Sequence, residues 1–275
     1  MRILIITSCT GEKKYKPENQ LVLNDFTQIG KDLFAQKEND LKGYRAPAGE
    51  MYTGQQHIRL MRGLELLRNA CSDVTIDLKI VSAGYGLLDE DSPIVPYEAT
   101  FNGMKAKVLR EWADLLKIPE SILSTIKGYD LSIFLLGQGY LKAINFPTTI
   151  AVKGNLVFLT GKGSQSSLPA GSNVVPIYLG NKEAKTMGAG LVALKGRAIE
   201  ILGEKVADDP AFLKSVVRSP ESLAGFFKDY KKQTKSKQAG QESDALLKAD
   251  YDSRVIKLPE DWLKSTHRKK IRYFI

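Results

Sequence analysis

The chain has 275 residues, of which 43% are hydrophobic, so it can bury the core of one large domain or of two small ones. No apolar run approaches the ~18 residues of a membrane span, and the chain begins with a strand-like run instead of a signal peptide, so we expect a cytoplasmic protein without a membrane partner. The formal net charge of +9 favours DNA or RNA as the partner, and the alternative is a basic protein that binds no polyanion.

Cysteine and histidine are scarce in this sequence. The chain has two cysteines, Cys9 and Cys71, and two histidines, His57 and His267. Two cysteines make no disulfide framework, and so few ligands argue against a zinc site. We therefore expect no metal, no cofactor and a reducing compartment.

Apolar runs and amphipathic segments alternate along residues 1–182. Strands are predicted at 2–7, 76–81, 131–136, 149–152, 156–159 and 174–179. Helices are predicted at 26–36, 55–68 and 104–116, after Pro119, from the 137–140 turn to residue 144, and at 183–202. Because helices separate the strands, the pattern predicts an α/β domain over 1–182, with a mostly parallel sheet in the middle of three layers.

Residues 183–275 are predicted to form a helical, basic region that packs on the α/β core, with a polar linker at 233–243. Basic side chains beside aromatic ones can hold a phosphate backbone. The phosphate-binding candidates of this region are Lys231, Lys232, Lys235, Arg268, Lys269 and Lys270. A solvated basic surface is the alternative interpretation.

The loop at 7–14 follows the first strand and contains hydroxyl groups, a thiol and two lysines. Lys13 and Lys14, together with backbone N–H groups, are predicted to bind an anion such as a phosphate. Cys9 is a candidate nucleophile, but no histidine lies near it in the sequence, so a packed or hydrogen-bonded thiol is the favoured interpretation.

Two further loops carry polar and aromatic side chains. The loop at 46–54 precedes a helix, and a plain helix start explains neither Glu50 nor Tyr52, whose ring can stack on a flat ligand. In the loop at 137–140, the Gln138 amide can hydrogen-bond a base edge as donor and as acceptor, beside Tyr140.

The stretch 80–97 combines a strand end with small residues, acids, prolines and tyrosines. Asp89 and Asp91 are predicted to be general bases or to stabilise a cationic sugar, and Glu50 is a third candidate acid. A charged turn at 91–93 is the alternative. Together the loops predict a site at the carboxyl ends of several strands.

Three motifs carry a resemblance to a known family. They are Ser8-Cys9 with Lys13-Lys14, Ala46-Pro47-Ala48 with 50–54, and 82–89 with Pro96-Tyr97. In this order they resemble a family of bacterial and phage domains that is similar to the central domain of archaeosine synthase and, more distantly, to the YaaA peroxide-stress proteins. The resemblance covers residues 1–145. It implies an α/β fold similar to that of uracil-DNA glycosylases and a pocket that holds a nucleobase.

With that resemblance, we expect a DNA glycosylase that excises an unusual or modified base, in phage defence against hypermodified DNA. The residues expected to surround the base are Ser8, Cys9, Tyr52, Ser82, Gly84, Tyr85, Gln138 and Tyr140. One alternative is an enzyme that modifies a 7-deazaguanine-type base in tRNA or DNA without cutting the glycosidic bond. The other is a DNA-binding stress protein without enzymatic activity.

Overall fold

A computed structural model describes residues 1–27 and 30–230 of the chain. They belong to one compact unit, Met1–Lys231, and the second unit, Lys232–Ile275, lies outside the described residues. Each helix within the described ranges is too short or too polar to cross a lipid bilayer.

Ten strands and eleven helices are assigned in the described part, with short 3₁₀ turns at Lys42–Tyr44, Ile126–Gly128 and Lys162–Ser167. The strands are β1 (Arg2–Ser8), β2 (Leu21–Val22), β3 (Ala46–Pro47), β4 (Thr75–Ser82), β5 (Gly86–Asp89), β6 (Pro93–Ile94), β7 (Tyr97–Glu98), β8 (Leu131–Leu135), β9 (Asn155–Thr160) and β10 (Val174–Tyr178). The helices are α1 (Leu23–Thr27), α2 (Lys31–Asp40), α3 (Ala48–Met51), α4 (Gln55–Ala70), α5 (Ala106–Leu115), α6 (Ile118–Thr125), α7 (Gln138–Ile144), α8 (Asn181–Met187), α9 (Leu194–Asp208), α10 (Ala211–Arg218) and α11 (Ser222–Asp229).

Six strands form the central sheet in the order β10-β9-β8-β1-β4-β5. All neighbours are parallel except β4 and β5, so the predicted mostly parallel α/β sheet is confirmed. The strands β1 and β8 are buried over most of their length, as continuous apolar runs require when helices cover both faces. Numbered among themselves, the parallel strands have the order 2-1-3-4-5, which is the flavodoxin-type doubly wound order.

The order of the strands reverses direction between β1 and β8. In an open α/β sheet, ligands bind outside the carboxyl ends of the strands at such a switch point, because the connecting helices diverge there and leave a crevice. A ligand site is therefore expected at the loops that follow β1 and β8.

The helices form two contacting groups, one of α5, α6 and α7 and one of α4, α8, α9, α10 and α11. The connection from β1 to β4 contains α4, and the connections from β4 to β8 and from β8 to β9 run the opposite way along the sheet and contain α5, α6 and α7. Because such crossovers are right-handed, the two groups lie on opposite faces of the sheet. In the second group, α4 and α9 touch through glycines. A Cβ built on Gly196 would lie 2.0 Å from the Gln56 carbonyl oxygen, and one on Gly63 would lie 2.5 Å from the backbone of Ile199.

Several predicted elements are wrong in detail. The segment 149–152 is not a strand and forms only an isolated bridge between Thr149 and Ala170. The single helix predicted at 183–202 is two helices, because Gly188 adopts the left-handed conformation (φ 63°) and ends α8. The helix predicted at 26–36 is replaced by α1 and α2, with residues 28 and 29 outside the described ranges. Residues 182 and 183 lie in the same compact unit, and the domain boundary at residue 182 stays a prediction.

Candidate functional site

A cavity of about 440 Å³ opens at the carboxyl ends of β1 and β8, at the switch point of the sheet. The β1 loop forms one wall, the start of α7 forms another, and the segment 98–102 together with the N-terminal ends of α4 and α9 completes it. The lining residues are Ser8, Cys9, Thr10, Gly11, Gln56, Glu98, Ala99, Thr100, Asn102, Gly137, Tyr140, Val192 and Lys195.

Cys9 and Tyr140 join the two loops that follow β1 and β8. The Cys9 backbone N–H donates to the Val81 carbonyl oxygen over 2.9 Å, which extends the β1–β4 ladder by one residue. The Cys9 Sγ lies 3.0 Å from the Tyr140 Oη, and both side chains are buried. Burial raises the pKa of Tyr140, so its hydroxyl is neutral at physiological pH and acts only as a hydrogen-bonding group.

Behind this pair lies a chain of buried hydroxyl groups. The Tyr97 Oη is 2.8 Å from the Tyr52 Oη and 2.7 Å from the Ser82 Oγ. The Ser82 Oγ also accepts hydrogen bonds from the backbone N–H groups of Gly84 (3.2 Å) and Tyr85 (2.9 Å). Burial raises the pKa values of Tyr52 and Tyr97, so this network carries no charge and fixes the end of β4.

Lys13 lies under the surface, with only 8% of the residue exposed. Its Nζ donates to the Thr10 carbonyl oxygen over 3.3 Å and lies 4.5 Å from the centre of the Tyr97 ring. Burial lowers the pKa of Lys13, and the nearby Cys9 and Glu98 partly offset this effect. The Lys13 ammonium therefore braces the β1 loop from inside, which does not fit the phosphate contact expected from the sequence.

The three acids expected from the sequence do not line this cavity. Instead of a loop at the sheet edge, residues 86–89 form β5, which runs back antiparallel to β4. Asp89 therefore faces Lys79, with which it forms an ion pair, about 10 Å from the carboxyl end of β4 at ~3.3 Å per residue. Asp91 is exposed in the following turn, and Glu50 is exposed and pairs with Lys14 at 3.0 Å.

The expected base-binding residues divide into three groups. Ser8, Cys9 and Tyr140 line the cavity. Four residues lie behind the cavity, namely Tyr52, Ser82, Gly84 and Tyr85. Tyr52 and Ser82 belong to the hydroxyl network. A Cβ on Gly84 would lie 2.7 Å from the Phe26 ring, and the Tyr85 hydroxyl donates to Glu38 over 2.9 Å. Gln138 alone makes up the third group: it is exposed, it does not line the cavity, and its amide donates to the Gly163 carbonyl oxygen over 3.0 Å.

Sequence reasoning missed five polar lining residues, namely Gln56, Glu98, Thr100, Asn102 and Lys195. The Gln56 amide donates to Thr7 Oγ1 over 3.2 Å and to the Leu135 carbonyl oxygen over 3.3 Å, so it links β1 to β8 below the cavity. Glu98 directly follows Tyr97 of the Pro96-Tyr97 motif, and this position beside the motif could have indicated it. Lys195 carried no such signal, because it lies far along the chain at the start of α9.

Six expected phosphate anchors lie outside the described residues, namely Lys231, Lys232, Lys235, Arg268, Lys269 and Lys270. Lys14, in contrast, lies at the surface, where its ammonium pairs with Glu50. The two expected anchors within the described residues, Lys13 and Lys14, therefore both contact other groups of the chain.

A second, larger hollow of about 840 Å³ lies between α5, α7 and β10. Apolar side chains such as Leu109, Phe146 and Leu168 line it, and Arg110 and Lys142 are the basic residues on its wall. Tyr178 also lines it, but it lacks the thiol and the carboxylate of the first cavity, and it rests against the edge strand rather than the switch point.

No protein-family model and no curated protein matches the chain. Among solved structures, it is similar to an azoreductase from Bacillus anthracis str. Sterne, with a TM-score of 0.32 and 9% identity over 75% of this chain and 99% of that chain. It is also similar to azoreductase AzrA, with a TM-score of 0.30 and 9% identity over 74% of this chain and 100% of that chain. Similarity at this level assigns neither a family nor a function.

Proposed function

We propose that the chain is a DNA glycosylase-like enzyme that hydrolyses the N-glycosidic bond of an unusual or modified base. The observation that carries this proposal is the polar cavity at the switch point, with Cys9, Glu98 and Tyr140 on its walls. Its volume of about 440 Å³ falls in the range of ~300–1,000 Å³ that is usual for small-ligand sites. Enzymes that act on a base in duplex DNA need such a pocket, because the target nucleotide must leave the stack.

Glu98 is the acid that the geometry favours for the chemical step. Cleavage of an N-glycosidic bond builds positive charge on the sugar, and a fixed carboxylate can stabilise that charge or orient the attacking water. Glu98 is exposed on the rim of the cavity, whereas Asp89 forms an ion pair with Lys79 away from it. Glu98 therefore replaces Asp89 and Asp91 as the candidate catalytic residue.

Amide side chains in the cavity suit the recognition of a base edge. Asn102 offers donors and an acceptor, which match the mixed edges of nucleobases, whereas the Gln56 amide already donates to Thr7 and Leu135 and keeps only its Oε1 as an acceptor. Gly139 leaves room for Asn102, because a Cβ there would lie 2.8 Å from the Asn102 Oδ1. The Tyr140 ring and hydroxyl supply a rigid wall with a polar end.

Two exposed apolar side chains lie beside the cavity mouth. Val192 is 80% exposed and Leu191 is 54% exposed, in the connection between α8 and α9. Exposed apolar side chains at a DNA-binding surface can enter the base stack and fill the space that an extruded nucleotide leaves. The net charge of +9 supplies the electrostatic attraction to the DNA backbone.

The test is the release of free base from phage DNA that carries bulky modified bases, measured by mass spectrometry together with the count of abasic sites. We expect Glu98→Gln to lower the rate by about 10²- to 10⁴-fold, the range that a positioned acid or base contributes. Asp89→Asn and Asp91→Asn serve as the comparison and are expected to retain the rate. If no modified or plain DNA releases a base with the folded protein, the proposal is wrong.

Cys9 favours a second candidate function, the modification of a base without cleavage of its glycosidic bond. Its thiol faces the cavity beside Tyr140 and near the Lys13 ammonium, and a thiolate is a strong nucleophile. Nucleosides from cells with and without the protein distinguish the two functions. A changed base without abasic sites favours this candidate, and abasic sites favour the glycosylase.

A further inference from the structure

Lys195 lies on the wall of the cavity, at the first turn of α9. The next residue, Gly196, packs so closely on α4 that an added Cβ would lie 2.0 Å from the Gln56 carbonyl oxygen. This backbone contact fixes the start of α9, and with it the backbone of Lys195, beside the same cavity that Cys9, Glu98 and Tyr140 line.

The Lys195 ammonium makes no hydrogen bond and no ion pair with any residue in 1–27 or 30–230. Neighbouring cations differ in this respect. Lys13 donates to a carbonyl oxygen, and Arg197, two residues after Lys195, pairs with Glu200 at 2.9 Å and with Glu204 at 2.7 Å. Lys195 is thus an amine in the cavity that the described part of the protein does not use.

Burial lowers the pKa of Lys195, which increases the fraction of neutral amine at a given pH. A neutral lysine amine is a nucleophile toward carbonyl carbon, and desolvation beside a substrate pocket is a known way to produce it. The carbonyl compound nearest to the proposed reaction is the sugar of an abasic site, whose open-chain form is an aldehyde at C1′.

We infer that Lys195 gives the enzyme a second activity, the cleavage of the DNA strand at an abasic site through an imine. The inference rests on the proposed function, because base excision in this cavity produces the abasic sugar. The Lys195 Nζ adds its lone pair to C1′ of the open-chain sugar, and loss of water gives the imine.

The strand is then broken by elimination. The Glu98 carboxylate accepts the C2′ proton, the electron pair of that bond forms a C2′–C3′ double bond, and the C3′–O bond breaks as the 3′-phosphate leaves with its electrons. Water then hydrolyses the imine, which frees the lysine and releases the unsaturated sugar on the 5′ fragment. No oxidant, reductant or metal is needed for this balance.

A lysine that only attracts a phosphate is the competing role for Lys195. Arginine keeps the positive charge but forms no imine, so Lys195→Arg separates the two roles. Lys107→Arg is the matched control, because Lys107 is exposed on α5 and pairs with Glu111 at 3.8 Å. A thermal unfolding curve of each variant checks that the fold is intact.

The experiment incubates the full chain with a synthetic DNA duplex that carries one abasic site, with and without sodium borohydride. We expect the wild type and Lys107→Arg to cleave the strand and to be trapped on the DNA as a reduced adduct. We expect Lys195→Arg to lower both the rate of strand cleavage and the yield of the reduced adduct by about 10²- to 10⁴-fold. Peptide mapping of the wild-type adduct is expected to identify Lys195. Absence of an adduct with the wild type, or an undiminished adduct with Lys195→Arg, overturns the inference.

The supplied abasic site makes this result independent of base excision. If the protein releases a modified base but leaves the abasic strand intact, the glycosylase proposal stands and the inference about Lys195 fails. If Lys195-dependent strand cleavage occurs but no DNA releases a base, the inference about Lys195 stands and the glycosylase proposal fails. An adduct that maps to Lys13 assigns the amine to the β1 loop instead and also overturns the inference.

Discussion

The thiol of Cys9 and the hydroxyl of Tyr140 lie 3.0 Å apart, although 131 positions separate them in the chain. The pair links the loop after β1 to the helix after β8, the two strands between which the sheet order reverses. Both residues are buried and line the same cavity, so this contact forms part of its wall.

The two cysteines are expected to differ in reactivity toward iodoacetamide. Both are buried, but Cys9 faces the cavity, whereas burial and the nearby Asp73 raise the pKa of Cys71 and reduce its thiolate. Mass spectrometry of the partly labelled protein should show the first carbamidomethyl group on Cys9. Cys71→Ser should keep this fast label and Cys9→Ser should lose it. Faster labelling of Cys71 contradicts the position assigned to Cys9.

Ser82→Ala is expected to destabilise the fold. The Ser82 Oγ bonds the Tyr97 hydroxyl and accepts from the N–H groups of Gly84 and Tyr85. Its removal leaves these two N–H groups without their acceptor, whereas the Tyr97 hydroxyl keeps its hydrogen bond to Tyr52. An unsatisfied buried polar group costs about 1–3 kcal/mol of unfolding free energy. Ser124→Ala, at an exposed serine, should change the unfolding free energy by less than about 0.5 kcal/mol. Urea unfolding of both variants measures the difference, and equal effects would count against the network.

His57 is expected to make stability depend on pH below neutrality. Its Nε2 lies 2.8 Å from the Gly49 carbonyl oxygen, and burial lowers its pKa below the ordinary value of 6.5. On acidification the unfolded chain binds the proton first, so the unfolding free energy falls as the pH drops through 6.5 and levels off below the pKa of the folded state. His57→Gln removes this contribution. Urea unfolding at about pH 7.5 and about pH 5 should show that the unfolding free energy falls less in His57→Gln than in the wild type. Equal losses in the two proteins contradict the lowered pKa of His57.

Two glycine substitutions should have opposite signs. Gly196→Ala puts a Cβ 2.0 Å from the Gln56 carbonyl oxygen, so α4 and α9 must separate, at a cost of about 1–3 kcal/mol or more. Gly225→Ala in α11 meets no atom within 4 Å and should stabilise the helix by about 0.5–1 kcal/mol. Chemical denaturation of both variants measures these changes. A neutral Gly196→Ala contradicts the close packing of α4 on α9.

The sheet was predictable because its strands are short apolar runs that helices separate. Residues 131–135 are fully buried, as the run of apolar side chains predicted, and the loop after β1 reaches the site edge as expected. The hairpin after β4 was not predictable from the acids themselves. Gly86 adopts φ 77°, and a Cβ there would lie 2.9 Å from the Leu116 carbonyl oxygen, so the reversal that removes Asp89 from the edge depends on a tertiary contact.

The candidate site was predictable only on the side that its own strands build. Ser8, Cys9 and Tyr140 follow β1 and β8 directly, so the rule for strand ends finds them. Lys195 reaches the cavity because α9 packs on α4, and this packing depends on glycines whose sequence positions do not reveal their partners. The sequence pattern also predicts a single helix over 183–202, and this prediction does not reveal where α9 begins.

A crystal structure of the protein bound to a DNA duplex that carries a modified nucleotide resistant to hydrolysis shows which hollow of the described part holds the base. The proposed function predicts one extruded base in the cavity between Cys9 and Lys195, with C1′ of its sugar near Glu98 and the Val192 side chain at the gap in the stack. A base bound beside Arg110 and Lys142 in the larger hollow, or an intact duplex with an empty cavity, contradicts it.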